Sequence, residues 1–192
     1  MKKIIIIVFT LLSVSCFAQS LQRLDSECRS NNQNYCMLLG IKYLKGDGVN
    51  QDKKKAAEIL HASCMLNYFP SCDNLSLMYA NGDGVDKDPF KLAELVTKSC
   101  DLGSVNACAY AGTIFEEGYG VRQDKFKAIE AYKKGCDGKV GYACFNLGVM
   151  YFNGDAVRQN KSLALELYGM ACDLRFEQGC SNYSKLKNSG FK

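Results

Sequence analysis

Ten of the eleven cysteines return as a pair, five times over. The pairs are Cys28/Cys36, Cys64/Cys72, Cys100/Cys108, Cys136/Cys144 and Cys172/Cys180. Members of a pair are eight positions apart, and each pair lies 36 positions from the next, with no insertion or deletion. A fixed period of about 20–50 residues implies stacked supersecondary units, each burying its apolar face against its neighbours, and argues against a single globule.

The eleventh cysteine belongs to a different kind of segment. Met1, Lys2 and Lys3 give a basic start, and Ile4 to Val14 is an apolar run much shorter than the ~20 residues of a membrane-spanning helix. Ala18 supplies a small residue before Gln19, so residues 1–18 read as a signal peptide cleaved there. Cys16 opens a rival reading, lipidation, although Ser13 stands where a lipoprotein signal wants a large aliphatic residue. No other stretch could span a bilayer. The expected location is periplasmic or secreted.

An exported chain meets an oxidising compartment, where disulfides persist. Zinc is the competing use of many cysteines, but it favours C-x2-4-C spacing and often histidine. The spacing here is C-x7-C and His61 is the one histidine, so no metal and no cofactor is expected. Two regular pairings remain open. Bonding within each eight-residue pair uses every cysteine, whereas bonding within a hairpin, such as Cys36 with Cys64, strands Cys28 and Cys180. The first is the preferred reading. The formal net charge is +4, half of it from Lys2 and Lys3, which leaves no electrostatic footprint for nucleic acid.

Between the cysteines each unit reads as a helical hairpin. Residues 19–32 form a half-repeat, with Leu21, Leu24 and Cys28 at helical spacing. Four hairpins follow, at about 33–67, 68–103, 104–139 and 140–175, and a capping helix closes the chain at 176–192. In the first hairpin, Cys36, Leu39, Gly40 and Tyr43 share one face at i, i+3, i+4, i+7. Gly46 stops that helix, Gly48 and Val49 make the turn, and Asp52 caps the next helix. Ala56, Ile59, Leu60 and Cys64 give the second helix its buried face. Later units repeat the plan, with Asp88 followed by Pro89 at a helix start, where a missing N–H is harmless. Ala156 departs from the turn glycine, so that turn must either avoid positive φ or carry strain. Gly40, Ser76, Gly112, Gly148 and Ser184 share one repeat position. A glycine inside a helix costs about 1 kcal/mol against alanine, so a small residue kept there implies close helix approach. Ser63, Ser99, Gly135 and Ala171 suggest the same on the second helix. The expected fold is an all-α, disulfide-stapled α/α solenoid.

Three motifs carry a family resemblance: Asn-Leu-Gly-x-x-Tyr-x-x-Gly from Asn146 to Gly154, Gly-x-Gly-Val-x-x-Asp at Gly82–Asp88 and Gly118–Asp124, and Lys127-Ala128. With these the units resemble Sel1-like repeats, relatives of the tetratricopeptide repeat, over nearly the whole mature chain. The C-x7-C pair in every unit is similar to the Helicobacter cysteine-rich proteins. That resemblance implies an exported right-handed superhelix with a concave face built by the first helices. It also implies two activities, penicillin binding with slow β-lactamase turnover, and protein or peptide binding. Ala156, Asn160 and Gly138 depart from the repeat pattern.

The residues weigh these two activities differently. A serine β-lactamase needs Ser-x-x-Lys, and Ser184 with Lys187 is the single match, with no Ser-Asp-Asn or Lys-Thr-Gly after it. Glu116 and Glu117 are adjacent on a helix and point apart, and His61 falls on an outer surface. A binding stripe has better support. Leu38, Asn74, Tyr110, Asn146 and Asn182 share one position on the first helices, and Lys42, Met78, Ile114 and Met150 follow one turn on. In the related tetratricopeptide repeats, asparagines on this face hold peptide backbone or a terminal carboxylate. An Asn amide donates and accepts together, as a peptide group does, and Met adapts to varied partners. The expected function is therefore a monomeric scaffold binding a peptide, a protein or a cell-wall fragment, with a slow β-lactamase that takes β-lactams as the alternative.

Overall fold

A computed structural model describes residues 20–190. The signal-peptide reading, its cleavage site and Cys16 lie outside the described residues, as do positions 191 and 192. The described residues are helical throughout, without a strand. A first helix, α1, covers residues 20–29. It is followed by α2 (Gln33–Lys45), α3 (Lys53–Met65), α4 (Phe69–Asn81), α5 (Pro89–Asp101) and α6 (Val105–Glu117). Then come α7 (Lys125–Asp137), α8 (Gly141–Asn153), α9 (Lys161–Asp173) and α10 (Glu177–Asn188). None of the described helices is long and apolar enough to cross a membrane. The chain divides into two compact units, one ending at Lys87 and the other starting at Asp88.

The turn between the two helices of a hairpin is written in backbone chemistry. Gly46, Gly82, Gly118 and Gly154 all end their helices in the left-handed conformation, each N–H closing on the carbonyl four residues back. The next helix is capped by a carboxylate or an amide. Asp52 accepts from the Lys55 N–H, Asp88 and Asp124 each accept from two backbone N–H groups, and Asn160 accepts from Leu163 N–H. Asn160 therefore takes the part of the aspartates. Ala156 does adopt positive φ, at 56°, so the strained alternative holds at that turn.

Each link between hairpins has a second left-handed residue, at Asn31, Asn67, Gly103, Lys139 and Arg175. Asn and Gly tolerate this conformation, and Lys and Arg have no such excuse. Only the repeat register marks those two positions.

In the unit before Lys87, α3 packs against both α2 and α4. In the unit from Asp88 each helix from α5 to α10 packs on the next. Disulfides join Cys28 to Cys36, Cys64 to Cys72, Cys100 to Cys108, Cys136 to Cys144 and Cys172 to Cys180, with Cα–Cα distances between 4.4 and 4.8 Å. Of the two regular pairings, the structure therefore has the one within each eight-residue pair, and Cys36 with Cys64 is not a bond. These ten cysteines are staples, with no free thiol among them. Cys64, Cys72, Cys108, Cys136 and Cys144 are all buried in the core, none more than 3% exposed. The Cα separations are at the short end of the disulfide range, and they draw two helix backbones together. The residues beside the bonds are accordingly small. Ser63 and Ser71, both buried, share a 2.7 Å hydrogen bond. A Cβ on Gly135 would stand 2.9 Å from that of Ala143, and one on Gly179 would stand 2.6 Å from that of Ala171. Within the hairpins, Gly40 faces Leu60, Gly112 faces the Tyr132 ring and Gly148 faces the Tyr168 ring, each too close to admit a side chain. Large residue on the second helix, glycine on the first: this is how these three hairpins close.

Two ion pairs reach from one hairpin to the turn of the next. Lys53 Nζ meets Asp83 at 2.5 Å and Lys125 Nζ meets Asp155 at 2.7 Å, in each case tying a second helix to the turn that follows the next first helix.

Candidate functional site

A first helix in a repeat stack is buried on two sides, against its hairpin partner and against the neighbouring hairpin. Only a narrow stripe stays open. The register of that stripe corrects one expectation. Met78 and Met150 are 2% and 0% exposed. They are core residues, as is Ile114, and none belongs to a binding surface. The open position lies one residue earlier, at Leu77, Thr113 and Val149, three residues after the asparagine position rather than four.

The asparagine position itself separates into different fates. In the unit before Lys87, Leu38 is exposed, while Asn74 turns inward on its own helix and donates to the Pro70 carbonyl at 2.7 Å. In the unit from Asp88, Tyr110, Asn146 and Asn182 lie on successive first helices. Tyr110 is 40% exposed. Asn182 is hydrogen-bonded to Tyr168, which opposes the upward push that burial gives the Tyr168 phenol. Asn146 is half-buried, and its Nδ2 is shut from solvent with no hydrogen-bond partner among the described residues. A buried amide donor left unpaired costs free energy.

Beside Asn182 a cavity of about 350 Å³ opens between α8, α9 and α10. Val149, Phe152 and Leu186 make it apolar, and Tyr168 also lines it. Asn153, Asn182, Lys185 and Ser189 bring the polar groups. Asn182 is the one cavity residue that the sequence singled out. Val149 and Lys185 were missed, although they sit at 36-residue spacing from Thr113 and could have been found by counting three residues from each asparagine.

At the other end of the same unit, Thr113 Oγ1 hydrogen-bonds Tyr142 Oη at 2.8 Å and Tyr132 Oη at 3.2 Å. Tyr132 Oη donates to the Glu116 carboxylate at 2.7 Å. Burial, and then the Glu116 carboxylate, hold the Tyr132 phenol far above its ordinary range. The Tyr142 ring meets Tyr132 and Phe176 edge-to-face, with centroids 6.4 and 5.9 Å apart.

Ser184 lies on the exposed side of α10. Lys187 Nζ is engaged elsewhere, 3.2 Å from Tyr183 Oη and 5.2 Å from the centre of the Tyr183 ring. Glu116 is tied to Tyr132, and Glu117 is exposed. His61 is also exposed. Among the described residues no three His, Cys, Asp or Glu side chains converge to hold a metal.

These features define a class: stacked helical hairpins of fixed length, stapled by disulfides at their links, with an open stripe on the first helices. The Sel1 repeat matches four times, at residues 34–68, 70–104, 105–139 and 141–176, and the chain belongs to that family. Helicobacter pylori cysteine-rich protein B is 31% identical over 71% of this chain and 98% of its own, with a TM-score of 0.53. This places the protein among the cysteine-rich Sel1-like repeat proteins. A protective antigen of uropathogenic Escherichia coli strains, displaying an SLR fold, shares the fold at a TM-score of 0.82 and 24% identity. The match covers 89% of this chain but only 37% of that one. A Sel1 repeat protein from Oxalobacter formigenes matches at a TM-score of 0.75 and 24% identity, over 92% of this chain and 72% of its own. No curated protein matches the sequence.

Proposed function

We propose that this protein is an exported binding scaffold that takes an extended peptide segment, from a partner protein or a cell-wall fragment, along the stripe of α6, α8 and α10. The observation that carries the reading is Asn146 Nδ2, a buried donor with no acceptor among the described residues. An outward swing of the half-buried Asn146 side chain would bring this donor to a peptide carbonyl laid across α8, and the same amide's oxygen can accept from a peptide N–H. The neighbouring cavity accommodates one apolar side chain, and Lys185 at that cavity offers a positive charge to a carboxylate. Export is supported by the five disulfides, since such bonds persist in oxidising compartments. The slow β-lactamase reading has no comparable support, because its one Ser-x-x-Lys match leaves the lysine on Tyr183.

The test is Asn146→Ala in the oxidised protein, read by fluorescence polarisation against peptides selected from a random library. The Asn146 Nδ2 has no internal hydrogen bond to lose, so the variant should melt with the wild type. Peptide affinity should fall about tenfold, the worth of one good hydrogen bond. Equal affinity in the variant, or a library from which the wild type selects nothing, would refute the proposal.

A further inference from the structure

We infer that the α6 end of this stripe is a cation pocket, which holds a Lys or Arg side chain of the bound peptide between tyrosine rings and the Glu117 carboxylate. This rests on the peptide-binding reading and names the residue class that the peptide must carry. Three exposed tyrosines gather here: Tyr110 at 40%, Tyr119 at 50% and Tyr142 at 38%. Tyr110, Thr113 and Glu117 stand at i, i+3, i+7 on α6 and so share its open stripe. Tyr119 follows the left-handed Gly118 cap, where its N–H is fixed on the Ile114 carbonyl at 3.0 Å. Tyr142 reaches across from α8 to Thr113. Tyr110 and Glu117 lie two turns apart on one face of α6, Tyr142 is tied to Thr113 between them, and the Tyr110 phenol lies within electrostatic reach of Tyr119, Glu117 and Tyr142.

The chemistry of that place favours a cation. Tyrosine rings present negative faces. Glu116 and Glu117 add two carboxylates, and neither makes a salt bridge among the described residues. Lys125, whose charge reaches Glu116, is already held by Asp155. An electronegative concentration of this kind runs against the formal charge of the chain, which is +4. The Tyr142 ring is also set in advance. Tyr142 is bonded through Thr113 to Tyr132 and wedged edge-on against Tyr132 and Phe176, so little order is lost on binding. The protein makes the same pairing with its own cations, holding Lys55 over Tyr43 at 4.2 Å and Lys161 over Phe152 at 5.6 Å.

The experiment uses the full oxidised protein and three fluorescent nonapeptides, derived from a library-selected binder, that differ at one residue: Arg, norleucine or Glu. Norleucine keeps an unbranched apolar stem without the charge. Arg should bind about five- to tenfold more tightly than norleucine, and Glu most weakly. Glu117→Gln should reduce Arg to the norleucine level while leaving norleucine unchanged. Tyr110→Ala should weaken Arg, and Tyr110→Phe, which keeps the ring face, should not. Norleucine binding as tightly as Arg would mean an apolar or stacking site and would overturn the inference. So would an Arg preference that survives Glu117→Gln. In both cases Asn146-dependent binding would still stand, so failure of the pocket and failure of the scaffold are distinguishable. If none of the three peptides is bound, both fall together.

Discussion

The same substitution should act with opposite sign at two helix glycines, and the structure says why. Gly112 lies in the middle of α6 and Gly169 in the middle of α9. Replacing a mid-helix glycine by alanine gains about 1 kcal/mol of helix propensity wherever there is room. At Gly169 the new methyl would meet only the edge of the Tyr183 ring, at 3.3 Å. That ring is partly exposed and can yield, so Gly169→Ala should stabilise by about 0.5–1 kcal/mol. At Gly112 the methyl would enter the Tyr132 ring itself. Tyr132 is 1% exposed and is held through its hydroxyl by Thr113 and Glu116, so it has no room to retreat. Overpacking a core costs about 1–3 kcal/mol, and the balance for Gly112→Ala is a loss of about 1 kcal/mol. In a chain of this size that is about 2–4 °C in Tm, down for Gly112→Ala and up for a full 1 kcal/mol gain at Gly169→Ala. Thermal unfolding followed by circular dichroism, without reductant, reads both. A double-mutant cycle with Tyr132→Leu should remove the penalty at Gly112, because the two residues are in contact. A Gly112→Ala protein that melts above the wild type, or a cycle with no coupling, would show that hairpin closure does not depend on this contact.

Four further outcomes are expected. Ala156→Gly should raise stability by about 1 kcal/mol, since Ala156 is held at positive φ where glycine is unstrained, and a higher Tm checks it. Replacing Cys136 and Cys144 together by alanine should cost about 2.5 kcal/mol, the chain-entropy value for so short a loop, measured as a lower denaturant midpoint that reductant no longer shifts at that link. The Asp155 carboxyl is held below its ordinary value of 3.8, chiefly by its hydrogen bond from Lys125. Its contribution is therefore complete above about pH 5 and lost as pH falls through the lower folded value, so Asp155→Asn should flatten the acid limb of stability against pH. Ser184→Ala should leave any turnover of a chromogenic cephalosporin unchanged, and abolition of turnover would restore the Ser184–Lys187 reading.

The repeat itself was legible in the sequence because its signals are local. Cysteine spacing, the left-handed glycines at Gly46, Gly82, Gly118 and Gly154, and the caps at Asp52, Asp88, Asp124 and Asn160 depend on the backbone within a few residues. Even the small residue at Gly112 announced a close neighbour, although not that Tyr132 is the neighbour. The binding stripe was legible only in part. One side of a helix is read from period 3.6, but a helix packed on two sides hides a second face that no single-helix pattern reveals. Met78 and Met150 fell on that second face, and Thr113 and Val149 took the open one. The identical repeat position also came to mean different things. Asn74 bonds its own helix, Asn182 bonds Tyr168, and the Asn146 Nδ2 bonds no described residue. Chain order alone therefore determined the hairpins and their turns. Which asparagine remains unsatisfied, and that Tyr142 reaches Thr113, was decided by the packing of residues some 30 positions apart, and such contacts exist only once the helices have packed.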